Sequence, residues 1–377
     1  MKQVTLLLYR LREQTFQIEP KLRLTFAKKP AVAAFVFMAL ALALVCEAAH
    51  AQSEEDFQVR QNPDNTLTII GYTGMERNVV IPETLFGLRV TAIGENAFRD
   101  GGNSGVRPVG SRPGTRRNFE LYSVVIPDSV RRIEESAFAR AGLRQVHLGN
   151  GVQYLGGCSF FHLTGAFHSN YLTEIYIPAS VTEFTGAFMN NRLTRVVFAE
   201  GSRITKIPIR AFRDNHLSEI TLPASVQVIG EQAFAGNHFS ELPLPASVQV
   251  IEAGAFARNR FTSINLPPTV RRVYQDAFRG NTIETLVIPE QLARGHLARG
   301  AFVPIPRSGW GPGDPIVIIT RLTIPARMDE QFIRDIMGDR GRNHALQEHF
   351  QSFFNFWENQ NRAGGTYFMR GPIWFRE

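Results

Sequence analysis

Residues 222–229 read LPASVQVI, and residues 244–251 read LPASVQVI again, 22 positions later. A fixed offset of this size constrains the chain more than any other feature. A short unit that recurs cannot bury its own apolar face, so it is stable only when stacked on copies of itself. The period extends in both directions. A proline recurs at Pro82, Pro127, Pro178, Pro223, Pro245, Pro267, Pro289 and Pro325, with Gly149 and Ala199 in its place twice. An Ala-Phe pair follows 11 residues later in the regular units, at Phe138, Phe234, Phe256 and Phe278. Three residues beyond the Phe stands an Asn: Asn170, Asn191, Asn215, Asn237, Asn259 and Asn281.

Each position has a physical role. In residues 217–222, LSEITL, the apolar side chains fall at the first, fourth and sixth places. The Ile-x-Leu part reads as a short strand with one face inward, and the proline that follows ends the ladder because it has no N–H to donate. Val226 and Ile229 point inward as the chain turns back. The Ala lets backbones approach, and the Phe fills the centre of the coil. The Asn belongs in a tight turn where left-handed geometry is tolerated, and stacking predicts a ladder of buried, satisfied amides.

These residues resemble a known family. The pattern I/L-P-x-S-V-x-x-I-x-x-x-A-F, as in 126–138 and 222–234, is similar to the BspA-like, bacterial surface-antigen type of leucine-rich repeat. The resemblance covers residues 78–302 and implies a repeat solenoid with short parallel strands, about nine coils of period ~22. It also implies a secreted or cell-surface protein that binds other molecules, adhesion among the known roles. A fold by itself does not name a ligand.

The flanks organise around the repeat. Residues 1–51 read as a signal peptide: Lys28 and Lys29 precede a charge-free run of 16 residues, 31–46, and Ala49-His50-Ala51 offers a cleavage site before Gln52. A lipoprotein reading would instead place the acyl group on Cys46, although residues 43–45 make a poor lipobox. The leader holds 7 Lys and Arg against 3 Asp and Glu, so the net charge of +7 falls to +3 once it is removed. Nucleic-acid binding is therefore not indicated. Only Cys158 remains after cleavage, so no internal disulfide is available and the stack must supply the stability.

Residues 52–77 read as a β cap, a hairpin folded around Asn62-Pro63-Asp64-Asn65. The solenoid follows over 78–305. Residues 101–117, GGNSGVRPVGSRPGTRR, break the period and lack apolar spacing, which reads as a disordered insertion. It is either a neutral insertion or a basic contact. The third coil is irregular, and both Phe160 and Phe167 satisfy the Phe register. Residues 306–377 contain a last strand near 320–325, helices over 328–337 and 344–359, and a hairpin around Arg370-Gly371. The best reading of this segment is a C-terminal cap.

The chemistry of known active sites is missing from the pattern. No G-x-S-x-G, P-loop, H-E-x-x-H or CxxC occurs. Cys158 and His162 lie four apart, but two ligands do not make a metal site. Acidic Glu231, Glu252 and Asp276 recur at coil turns as solvated faces. No enzyme activity, cofactor or small-molecule substrate is expected, and the chain is expected to be a monomer. Two classes remain, an extracellular binding or adhesion module with a protein partner and a structural envelope spacer. On the outward face of the strands, one column runs Val125, His147, Tyr176, Val197, Thr221, Pro243, Asn265, Val287. Its neighbour carries Glu174, Arg195, Glu219 and Glu241. An aromatic beside alternating charge points to a protein partner near Tyr176, Arg195, Glu219, Val197 and Thr221.

Overall fold

The structure, a computed structural model, describes residues 52–99, 120–157, 165–293, 296–298, 301–302, 319, 321–324, 344–360, 365–370 and 373–376. The signal peptide expected over 1–51, the insertion expected at 101–117, Phe160, Cys158, His162, Trp310 and the helix expected over 328–337 lie outside the described residues.

The repeat alternates turns and short strands, and each regular coil has places for two strands where the sequence predicts one. The leading strands are those expected. Asn78–Val80, Ser123–Val125 and Gln145–His147 pair in parallel. Glu174–Ile177 pairs with Arg195–Phe198. Ser263–Asn265 pairs with Thr285–Val287, and that strand with Arg321–Ile324. The trailing strands come after the proline. Lys206–Ile207, Val228–Ile229, Val250–Ile251, Arg272–Val273 and His296–Leu297 form a continuous parallel sheet. A second trailing sheet joins Leu88–Ile93, Arg132–Ile133, Tyr154–Leu155 and Glu183–Phe184. Two-residue strands of this kind owe their ladder to the coils above and below. The inward Ile or its equivalent is fully buried, and the residue before it is half-buried or exposed.

The leading face is interrupted, which corrects the expectation of columns in unbroken register. Residues 217–222 and 239–244 pass through the stack without forming a strand. Pro243 supplies part of the reason: it occupies a ladder position and has no N–H for the coil before it.

A ring column runs along the axis. Tyr72, Phe98, Phe138, Phe167, Phe188, Phe212, Phe234, Phe256, Phe278 and Phe302 stack in order, with successive centroids 4.7–5.9 Å apart. Phe167, not Phe160, holds the register in the third coil. Stacked near-parallel rings at this separation add to the apolar area they bury.

Beside the rings runs the amide ladder. Each of the six Asn is buried. Asn237 is representative: its Nδ2 donates to Phe212 O at 2.9 Å and Phe234 O at 3.1 Å, and its Oδ1 accepts from Leu217 N at 3.0 Å. The same three bonds recur at Asn215, Asn259 and Asn281. The left-handed residue of the turn is not the Asn. Positive φ falls two residues before and two after the Phe, as at Gln232 (54°) and Gly236 (70°) around Phe234, and Asp276 (58°) and Gly280 (77°) around Phe278. At such a position a non-glycine residue costs about 1–3 kcal/mol, which the amide bonds and the buried ring offset.

Both ends are closed by hairpins. Phe57–Gln61 and Leu67–Tyr72 pair antiparallel around Asn62–Asn65, and the second strand continues in parallel into Leu88–Ile93. At the other end Arg321–Ile324 pairs antiparallel with Gly365–Arg370, which turns into Ile373–Arg376. The helix His344–Asn359 buries Phe353, Phe354 and Trp357, the apolar face its spacing predicts. Phe353 meets the Tyr367 ring edge-on at 5.5 Å. No helix among the described residues is long and apolar enough to cross a membrane.

Candidate functional site

The strand pair Glu174–Ile177 and Arg195–Phe198 holds the predicted surface. Register sets Tyr176 directly opposite Val197, and Glu174 opposite Arg195. Ile175 and Val196 between them are buried, which turns Tyr176, Val197, Glu174 and Arg195 to the outer face, all half-buried. Directly opposed side chains on one face of a sheet interact as pairs. Arg195 Nη1 lies 3.9 Å from Glu174 Oε2 with both side chains partly solvated, so the pair contributes orientation more than stability. Burial raises the Tyr176 phenol above its ordinary pKa, so it stays protonated and can donate a hydrogen bond.

Glu219 and Thr221 fall in the next coil and are exposed, on a segment that forms no ladder with Arg195–Phe198. The structure thus brings Tyr176, Val197 and Arg195 together. It leaves Glu219 and Thr221 on a neighbouring, unladdered part of the same face. Further up the column His147 stands on Gln145–His147, where burial lowers its pKa and Asp128 works weakly the other way.

Sequence reasoning missed a second arrangement. Arg192 stacks over the Tyr171 ring at 4.5 Å, and Arg144 approaches the same ring at 5.7 Å and that of Tyr122 at 6.0 Å. On a trailing strand Arg132 lies 4.1 Å over Tyr154. Counting from the Asn, instead of along the strand, places Tyr171, Arg192, His216, His238 and Arg260 in one column. That count was the available signal. Among the described residues, no group of three His, Cys, Asp or Glu is placed to hold a metal ion.

Comparison with known proteins agrees with the repeat architecture. A family model described as BspA type leucine rich repeat region matches residues 116–185 and 184–302 in six copies. Similar solved structures include the pneumococcal vaccine antigen PcpA, at 17% identity over 63% of this chain and 80% of that one, TM-score 0.37. A leucine rich cell surface protein from Faecalibacterium prausnitzii A2-165 aligns at 20% identity over 66% and 83%, TM-score 0.35. The T. pallidum leucine rich repeat protein aligns at 23% identity over 67% and 87%, TM-score 0.30. No curated protein matches the sequence. With its six matched repeats, its stacked Phe column and its parallel strands, the chain is a leucine-rich repeat protein of the BspA type.

Proposed function

We propose that the protein is an exported, non-catalytic binding module of the cell surface or extracellular space that takes a protein partner on its leading-strand face. The supporting observation is the pair Tyr176–Val197 set beside Arg195 and Glu174 on a laddered, core-backed strand pair. A half-buried Tyr has an apolar ring and a polar tip, loses little rotamer freedom on binding, and is a common hot-spot residue. The alternating charge next to it selects orientation and discourages uniformly charged ligands. Glu219 and Thr221 extend the surface by one coil. Residues 1–51 serve export, with Gln52 as the mature N-terminus, and the chain acts as a monomer.

A pull-down of the purified protein against extracellular-matrix and cell-surface proteins tests this reading. Tyr176→Ala combined with Arg195→Ala weakens the captured partner at least about tenfold, ~1.4 kcal/mol, while deletion of 101–117 has the smaller effect. The reverse ranking moves the site to the basic insertion. N-terminal sequencing of the exported protein reads Gln52; a lipid-modified Cys46 at the terminus overturns that assignment and tethers the protein to a membrane.

A further inference from the structure

The leading sheet's edge nearest the amino terminus is closed by a side chain instead of a strand. Along Asn78–Val80 alternate backbone groups face the next coil: Tyr122 N donates to Arg77 O, and Ile81 N to Val125 O. The groups of Asn78 and Val80 therefore turn the other way, to an edge where the sheet has no further strand among the described residues. Gln52 fills that place. Its Oε1 accepts from Val80 N at 3.0 Å, and its Nε2 donates to Asn78 O at 3.3 Å and to the Tyr72 hydroxyl at 3.3 Å. The amide stands where a residue of one more strand would stand, and it covers an edge of the kind that recruits other chains. Tyr72, buried at the head of the ring column, fixes one side of the seat. Ser53 fixes the backbone beside it: its N–H donates to Asp56 Oδ2 at 3.1 Å, and its Oγ accepts from Glu55 N at 3.3 Å.

We propose that Gln52 is a modification site gated by this seat: as the mature amino terminus it stays an open glutamine while its amide is seated, and it cyclises to pyroglutamate only when the cap opens. This rests on the reading of Gln52 as the mature terminus, the residue at which the compact unit carrying the repeat begins. In cyclisation the α-amine nitrogen attacks Cδ. The new N–Cδ bond closes a lactam and the Cδ–Nε2 bond breaks. A proton passes from the attacking nitrogen to the leaving one, which departs as ammonia, and nothing is oxidised or reduced. Such an attack needs amine and Cδ aligned at about 3–3.5 Å, with the side chain folded back over its own backbone. The seat opposes this twice. It holds the amide against Asn78 and Val80, 26 and 28 residues along the chain, and the Ser53 cap keeps the amine from following. Loss of Nε2 also ends the bonds to Tyr72 and Asn78. The rate is then the intrinsic rate multiplied by the fraction of chains in which the cap is open.

Intact mass spectrometry of the exported protein, held at one pH and temperature, follows the loss of ammonia. A peptide of residues 52–61 and the same protein unfolded in urea give the ungated rate. The folded protein is expected to carry an open Gln52 and to cyclise at least about tenfold more slowly than either, since three hydrogen bonds must open first. Tyr72→Phe removes one acceptor and keeps the ring, and Ser53→Ala loosens the neighbouring backbone, so each speeds cyclisation; Ser263→Ala, far along the stack, does not. Gln52→Ala releases the Val80 amide to hydrogen exchange. Melting curves confirm that each variant is folded. A terminus already cyclised in the folded exported protein, equal rates in the folded protein and the peptide, or a Val80 amide still protected in Gln52→Ala overturns the proposal. A mature mass that starts at another residue overturns the terminus reading and the cyclisation with it, and the Val80 exchange tells that failure from failure of the seat.

Discussion

Replacing Asn237 with Ala tests the amide ladder most directly. The side chain closes three backbone groups inside a region sealed from water, but the three do not lose equally. Phe212 O also accepts from Asn215 Nδ2 at 3.1 Å, and Phe234 O from Asn259 Nδ2 at 2.9 Å, so each carbonyl keeps one bond. Leu217 N has Asn237 Oδ1 as its acceptor, and Leu217 is fully buried. The substitution orphans that one N–H, which costs about 1–3 kcal/mol, with a smaller addition from the cavity. Asn237→Asp is the sharper variant. It keeps the acceptor for Leu217 N but turns an anionic oxygen toward two carbonyls, so at neutral pH it destabilises more than Ala does. Urea or thermal melts give the change in stability, and amide hydrogen exchange reports whether Leu217 N–H is released. If Asn237→Ala melts within about 0.5 kcal/mol of the unaltered protein and the Leu217 amide stays protected, the ladder is not what holds the turns.

Other outcomes follow from the same coordinates. Phe234→Ala opens a gap between rings at 5.6 and 5.4 Å and costs about 3–5 kcal/mol in a denaturation series. Burial holds the His147 pKa below its ordinary 6.5, so the neutral ring is favoured on folding. Its penalty is therefore absent above that pH and grows as pH falls below about 6.5, where the unfolded chain takes the proton first. Melts from pH 7.5 down to 5 should show a decline that His147→Gln reduces. Pro243→Val restores a ladder donor, and hydrogen exchange should find the new amide at 243 protected; free exchange there would mean that something other than the proline interrupts the leading sheet.

Much of this architecture is legible in the sequence because the relevant residues recur at one period. The Phe column, the Asn ladder, the hairpin around Asn62–Asn65 and the helix at 344–359 each rest on a pattern that composition cannot mimic. What escaped had no such pattern. The trailing strands are two residues long, and Lys206, Val228, Val250 and Arg272 share no property that marks a strand. The left-handed turn positions hold Ser136, Arg210, Gln232 and Asp276, residues with no common preference for positive φ. Stacking context imposes both. The proposed interaction face was half legible: alternation set Tyr176 and Arg195 outward, but the lost ladder at Glu219 and Thr221 depends in part on a proline one coil later. The Tyr171–Arg192 stack was hidden because its members lie 21 residues apart outside the strand columns.

The bonds of the ladder all run one way. Asn237 reaches back to seal the turn that carries Leu217, Asn259 seals that of Phe239, and Asn281 that of Phe261. A coil's own turn is thus finished only by its successor. The N-terminal coil meets the same requirement without an Asn, since Leu121 N is taken by the backbone carbonyl of Ala141, at the Asn position of the following coil, at 2.7 Å. Assembly along the axis therefore has a polarity. A chain arriving amino end first can add each coil to a foundation already closed, and the newest layer alone stays open. A fragment cut within the repeats would fray from its carboxyl side, with the exposed turn as the point where a protease gains entry.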